Sequence, residues 1–310
     1  MLNIYNNFKL NKKHKNSILL IGNFDGLHLG HQKLFKLAKT YSTKFNLKLG
    51  VLTFDPLPMM FFNKKIKNYK LTNHQQKKNL FVKYGVDYLI VKKFNRKFSK
   101  ISYIQFIKKI IAKKISPKFI FVSNNFRFGY KRKGNIKELK KKQFSFNYKI
   151  VNPTPLKKNG EIISSTLIRR LLQSGNLKNA NKLLNRKWEV IGIVKKGKQL
   201  GKKLGFPTCN IELKNYVIPK LGVYSVKAKV NKSNKTLKGI ANIGFRPTFG
   251  GKKILLEVNL FNFSGNLYNK SLRVSFNSFI RNERKFSSQK ELIKQVKKDL
   301  KKANFDLNKK

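Results

Sequence analysis

Ile18-Leu19-Leu20-Ile21-Gly22-Asn23-Phe24-Asp25-Gly26-Leu27-His28-Leu29-Gly30-His31 reads as a buried strand, a glycine-broken turn and the first residues of a helix. Such a junction leaves backbone N–H groups without intrahelical partners, and those groups favour a phosphate. The turn also carries two of the chain's four histidines, three residues apart. On a helix starting near His28 that spacing puts both imidazoles on one face, pointing back at the turn. Two potential cations and a helix start around one small space read as a phosphate-handling site.

The alternation continues outward from this stretch. Apolar runs at 18–21, 48–54, 88–91 and 119–122 are separated by helix-like stretches near 31–45, 73–84 and 102–114. Strands alternating with helices predict a parallel, doubly wound α/β sheet whose ligands sit beyond the carboxyl ends of the strands. The informative residues lie at those ends: the turn itself, Phe54-Asp55-Pro56, and the segment 124–129. Helices are expected to start near Ser164 and Leu177. From Arg186 the period changes. Runs at 188–194, 223–230, 254–261 and 271–276 alternate or are β-branched, and Gly, Pro and Asn turns divide them, which predicts an all-β antiparallel barrel or sandwich. A closing helix near 288–302 carries a Ser288-to-Glu291 capping box, with Leu292, Val296 and Leu300 on one face. The expected domains are therefore 1–185 and 186–310.

Composition narrows the function classes. The chain has 310 residues and a formal charge of +59, which invites a nucleic-acid reading. The excess is spread evenly, however, and only ten of its 71 basic residues are arginine, the preferred reader of bases and phosphates. Asparagine reaches 35 while alanine falls to 6, so the surplus matches what A/T-rich codons supply. We read the charge as compositional drift, with no dedicated nucleic-acid partner; salt-resistant binding to duplex DNA or structured RNA would overturn that. Against this background the rare residues inform: Asp25, Asp55 and Glu257, and Arg127, Arg169, Arg246 and Arg281, all sit in well-formed motifs. His14 and His74 read as ordinary core or surface groups. A single cysteine, Cys209, rules out an intrachain disulfide and a Cys-rich zinc site. No apolar stretch approaches the ~18 residues of a bilayer span, so a cytoplasmic setting with no membrane partner is expected. Weak self-association is left open.

Several motifs in fixed order carry a resemblance. They are the turn 22–31, Thr53-Phe54-Asp55-Pro56, Asn125-Phe126-Arg127-Phe128-Gly129, Ile163-Ser164-Ser165-Thr166-Leu167-Ile168-Arg169, Leu204-Gly205-Phe206-Pro207-Thr208-Cys209-Asn210, Asn242-Ile243-Gly244-Phe245-Arg246-Pro247-Thr248-Phe249, and Glu257 ahead of Leu267-Tyr268. Together they resemble the bifunctional bacterial riboflavin kinase/FAD synthetase family over nearly the whole chain. The resemblance implies an N-terminal nucleotidyltransferase domain that moves AMP from ATP onto FMN, releasing pyrophosphate. It also implies a C-terminal kinase domain that phosphorylates riboflavin.

By that resemblance His28, His31 and Arg169 serve adenylyl transfer. Gly22, Phe24, Asp25, Gly26, Ser164, Ser165 and Thr166 bind its ATP, and Phe62, Asn125 and Phe128 hold the flavin. In the kinase half Gly201, Gly205 and Pro207 bind ATP, and Thr208 and Asn210, one residue apart, present hard oxygen ligands for Mg²⁺. Glu257 is the general base and Arg281 lies near the flavin. The run 197–203 suggests a P-loop but is one residue short between its glycines and lacks Ser or Thr after the lysine, so it fits the family's own glycine loop better. Each assignment has a plainer alternative: Ser164–Thr166 as a helix cap, the phenylalanines as core, Glu257 as a solvent-facing strand residue, Arg281 and Arg246 as structural.

Five positions depart from the family pattern. Leu57 and Asn259 replace histidines, Ser123 and Asn185 replace glycines, and Lys202 replaces an arginine. They predict a marginally stable and slower enzyme. Two rival readings are a chain retaining one activity, and a basic nucleic-acid-binding protein with a vestigial nucleotide site.

Overall fold

A computed structural model describes residues 2–309 except 198–200, 202–203, 232 and 249–250. Packing divides the chain into two compact units, Met1–Lys67 with His74–Ser164, and Asn68–Asn73 with Ser165–Lys310. The division by packing falls between Ser164 and Ser165; the sequence boundary near 184–187 lies inside the second unit.

The first unit runs β1 (Asn3–Tyr5), β2 (Ile18–Ile21), α1 (Leu29–Lys44), β3 (Leu49–Asp55), α2 (Pro58–Phe62), α3 (His74–Lys83), β4 (Tyr88–Lys93), α4 (Arg96–Ser99) and α5 (Tyr103–Gln105). A π-helical segment, Phe106–Ile115, continues α5, followed by β5 (Phe119–Phe121), α6 (Ile136–Lys141), β6 (Lys149–Val151) and a small hairpin, β7 (Lys157–Lys158) and β8 (Glu161–Ile162). Six strands form a parallel sheet in the order β1-β4-β3-β2-β5-β6. The decisive strand β2 lies inside it with all four residues buried. Successive side chains point to opposite faces, so Leu19 and Ile21 join one core and Ile18 and Leu20 the other. The doubly wound expectation holds, with short strands β1 and β6 added at the edges.

The second unit holds residues 68–73, α7 (Ser165–Gln173), α8 (Leu177–Leu184), β9 (Glu189–Ile193), β10 (Cys209–Glu212), β11 (Gly222–Val230), β12 (Leu237–Thr248), β13 (Gly251–Leu260), β14 (Ser271–Asn282) and α9 (Gln289–Asn308). All strand pairs are antiparallel, in the order β10-β13-β12-β11-β14-β9. A bridge from Lys195 to Asn210 brings the two edges together, so the sheet closes almost into a barrel. Trp188, Tyr224 and Phe276 fill its interior.

The two helices and the 68–73 segment are fastened to this barrel by side chains. The Asn181 carbonyl accepts from the Trp188 N–H at 2.6 Å, and its amide donates to the Phe276 carbonyl at 3.2 Å. The Trp188 indole N–H donates to the Leu71 carbonyl at 3.1 Å, and Val217 N–H to the Lys70 carbonyl at 2.9 Å. The expected capping box starts α9, where the Glu291 N–H donates to the Ser288 hydroxyl at 3.2 Å. The helix continues to Asn308 because Ala303 and Leu307 extend its buried stripe.

Among the described residues fourteen non-glycine residues have positive φ, and nine of them are asparagine. Asn185, at φ 55°, closes α8 in the left-handed conformation that its side-chain amide tolerates.

Candidate active sites

The turn after β2 is built by packing from within. His28 caps α1 in an extended conformation, and its carbonyl accepts the Gln32 N–H at 2.9 Å. The His28 and His31 rings stack with centroids 3.7 Å apart. A side chain at Gly30 would press on the His28 ring and on the Ile163 carbonyl at 3.2–3.3 Å, so the close approach of ring to backbone favours glycine here. Phe24, at φ 46°, turns its ring into the core against Phe35, Phe81 and His31, which leaves its backbone as the part able to meet a ligand. Asp25 is 2% exposed.

The sequence offers His28 and His31 as potential cations, and the surroundings of His31 work against its charged form. Burial, reinforced by the Lys77 charge, lowers its pKa to about 3. An imidazole held away from water resists charging, because desolvation penalises the ionised form. His31 Nδ1 is sealed from solvent and has no hydrogen-bond partner among the described residues, an orphaned polar atom of the kind a ligand satisfies.

Beyond β3 and β4 lies an aromatic group. Phe62 is 67% exposed, with its ring 5.2 Å from Phe61 and 5.7 Å from Phe94. Phe128 is instead a core residue, 5.3 Å from both Phe106 and Phe126. Asn125 is exposed, and its Oδ1 accepts from the Ser123 hydroxyl at 2.9 Å, so the serine that departs from the family pattern orients it. Leu57, the second departure, is buried at the start of α2. His74 pairs with Asp55 at 3.0 Å.

Ser164 closes the first unit, whereas Ser165, Thr166 and Arg169 belong to the second. Within that unit Arg169 is 7% exposed, donates from Nε to the Tyr69 carbonyl at 2.7 Å and lays its guanidinium 3.6 Å from the Tyr69 ring centre. It anchors the 68–73 segment.

On the barrel, register makes the site. Glu257 on β13 lies opposite Asn210 on β10 and opposite Asn242 on β12. Directly opposed residues share a face. Their neighbours Cys209, Ile211, Leu256, Val258, Ala241 and Ile243 are buried, so the Asn210–Glu257–Asn242 row stands on the outer face. The Asn242 amide reaches toward Glu283 at 3.5 Å. Asn242 sits in a quoted motif and Glu283 in none; strand register, which the sequence did not reveal across β12, places Asn242 beside Glu257, and Glu283, just past β14, reaches Asn242.

Asn210 Oδ1 is buried and has no hydrogen-bond partner among the described residues, and its amide nitrogen packs so closely on Gly197 that a Cβ there would lie 2.0 Å away. With the Thr208 hydroxyl one residue before β10, this is an oxygen donor set that fits a hard divalent cation. Among the described residues no group of three or more His, Cys, Asp or Glu could hold a metal. Burial raises the Cys209 thiol to about 11, so it is inert.

The Asn259 amide donates to the Pro207 carbonyl at 2.7 Å, holding the approach to Thr208. Gly205 adopts φ 82°, and the Phe206 N–H closes on the Gly201 carbonyl at 2.8 Å. Lys202 and most of the glycine loop lie outside the described residues, as does the side chain of Arg246. Arg281 forms a forked pair with Asp299, Nη2 to Oδ2 at 2.7 Å, which ties β14 to α9.

Comparison with known proteins agrees with both halves. The FAD synthetase family model matches residues 10–167 and the riboflavin kinase family model matches 184–306. A bifunctional riboflavin kinase/FMN adenylyltransferase of Buchnera aphidicola subsp. Schizaphis graminum is 42% identical over 294 residues, 94% of each chain. The Escherichia coli K12 protein of the same description is 36% identical, covering 91% of this chain and 90% of its own. A Streptococcus pneumoniae crystal structure described as a macrolide-efflux protein superposes with a TM-score of 0.85 at 27% identity, over 100% of this chain and 99% of that one. No helix among the described residues is long and apolar enough to cross a membrane. Sequence, fold and relatives converge: the chain belongs to the bifunctional riboflavin kinase/FMN adenylyltransferase family.

Proposed function

We propose that the family's two reactions run on separate constellations of this chain, with residues 1–185 as the FMN adenylyltransferase domain and 186–310 as the riboflavin kinase domain. The enzyme converts riboflavin and ATP to FMN and ADP, then FMN and ATP to FAD and pyrophosphate. The observation that supports separate sites is that His28 and His31 lie in one compact unit while Asn210 and Glu257 lie in the other.

In the kinase step Glu257 takes the proton of the ribityl 5′-hydroxyl as that oxygen bonds to the γ-phosphorus and the bond to ADP breaks. Thr208 and Asn210 would hold Mg²⁺, which when bound neutralises polyphosphate charge. Gly201, Gly205 and Pro207 line the nucleotide, and Arg281, held by Asp299, supports the flavin wall. In the adenylylation step an FMN phosphate oxygen attacks the α-phosphorus of ATP and pyrophosphate leaves. The protein's work there is to align the two anions and meet the growing charge.

His28 and His31 donate to the phosphates, and the backbone of Gly22, Phe24, Asp25 and Gly26 approaches them. By the resemblance, Ser164, Ser165 and Thr166 bind ATP and Arg169 serves adenylyl transfer. Phe62 and Asn125 hold the flavin, with Phe128 as backing. The inert thiol suits a reducing, cytoplasmic setting. Incubation with riboflavin, ATP and Mg²⁺, followed by chromatography of the flavins, tests this: FMN should appear first and FAD after it. Accumulation of FMN alone, or no turnover of riboflavin with FAD formed only from supplied FMN, would reduce the chain to one activity.

A further inference from the structure

Lysine crowds the surface of this chain, so a lysine kept off the surface is informative. Lys77 on α3 is 7% exposed and is the only lysine buried among the described residues. Burying an ammonium costs several kcal/mol unless partners compensate, so drift does not explain it. Its Nζ donates to the Asn23 carbonyl at 3.0 Å, in the turn between β2 and α1. The Thr53 hydroxyl donates to that carbonyl too, at 3.3 Å. A trans peptide is planar, so fixing the carbonyl of residue 23 fixes the N–H of residue 24 on the opposite side. That N–H belongs to Phe24, whose ring is already committed to the core. Lys77 and Thr53 thus set the direction of a turn donor from two different elements, α3 and β3. The same ammonium is close enough to His31 to act on its charge.

We propose that Lys77 is a positioning residue of the adenylyl-transfer site: it locks the Asn23–Phe24 peptide so that the Phe24 N–H is presented to the triphosphate, and it is the permanent positive charge beside the histidine pair. This rests on the assignment of His28 and His31 to adenylyl transfer. It explains how a site whose His31 is neutral still attracts a polyanion. It also gives the otherwise plain helix α3 a role in the chemistry.

The test uses the full-length protein with K77M, K77R and H28A, assaying FMN adenylylation, riboflavin phosphorylation and thermal unfolding. K77M should raise the KM for ATP, and the inhibition constant of pyrophosphate, about tenfold or more. Its KM for FMN and its kinase step should be unchanged. K77R, which keeps the charge, should recover most of the ATP affinity. A purely structural lysine would lower stability and weaken ATP and FMN alike, without rescue by arginine, and that pattern overturns the proposal; so does K77M with wild-type ATP kinetics. If K77M does not fold, K77R decides: ATP KM within threefold of wild type supports the proposal, and a tenfold loss in a folded protein overturns it. H28A separates the two levels. If H28A retains adenylylation, the site assignment itself fails; if H28A abolishes it while K77M is silent, only the role of Lys77 fails.

Discussion

The histidine pair of the first unit and the Asn210–Glu257–Asn242 row of the second are built on opposite principles. The histidines stack in a turn whose aromatic ring is already packed into the core, and His31 Nδ1 is sealed from solvent. The row stands on the outer face of a barrel, aligned only because three antiparallel strands share one register. In one arrangement the two key rings are neighbours in sequence; in the other the key residues lie on strands 32 and 15 positions apart (Asn210 to Asn242, then Glu257). The first site therefore depends on side-chain packing around one turn, while the second depends on backbone pairing between strands. Damage should follow the same lines.

The sharpest break is expected from chemistry at the row. Glu257→Gln keeps the shape and removes the base, so riboflavin phosphorylation should fall by about 10²–10⁴-fold. FAD formation from supplied FMN should stay at wild-type rate. Paired assays of the two steps check this, and equal loss of both would remove the separation between the sites. The reciprocal change, His28→Ala, should lower FMN adenylylation by about 10²–10³-fold, as loss of one preorganised donor does, and spare the kinase.

A smaller effect concerns what the barrel borrows. A chain beginning at residue 186 lacks the Leu71 carbonyl that accepts the buried Trp188 indole N–H, and lacks both Asn181 bonds. Unsatisfied buried donors cost about 1–3 kcal/mol each, so this truncated barrel should unfold at least ~2 kcal/mol more easily than the barrel in the full chain. Urea unfolding followed by the single tryptophan measures it, and equal midpoints would mean that the helices and the 68–73 segment are passengers.

The smallest effect distinguishes the buried site by pH. His31 has its folded pKa depressed to about 3, and burial with the Lys13 charge also lowers that of His14. Below pH 6.5 the unfolded chain therefore binds more protons than the folded one, and stability falls as pH falls, toward the folded pKa values. Each such histidine contributes a slope of at most about 1.4 kcal/mol per pH unit. Denaturant midpoints at pH 7.5 and 5.5 should drop accordingly, and His31→Asn should flatten the decline. A midpoint insensitive to pH across that range would mean that His31 charges freely.

Sequence pattern and structure part company where information is non-local. The β2–turn–α1 junction was legible because periodicity, glycine and the histidine spacing all lie within fourteen residues. Strand β12 was not, since Gly239, Gly244 and Pro247 break its alternation, yet its paired neighbours keep it extended over twelve residues. The helix expected over 102–114 was found in place, but largely with the i→i+5 hydrogen bonding of a π-helix, which brings Phe106, Ile110, Ile111 and Ile115 onto one buried face. Spacing near four suggests a helix without revealing how widely it is wound. Lys77 escaped notice for a different reason: in a chain with so many lysines, only burial distinguishes one of them. Register likewise hid the pairing of Asn242 with Glu257.

The asparagines in left-handed turns have a broader implication. Among the described residues nine corners are made by a residue carrying a polar amide rather than by the one residue with no side chain. The mirror-image backbone conformation can thus be preserved while the alphabet used to write it changes. Handedness at a corner, more than the identity of the residue occupying it, is what the architecture demands.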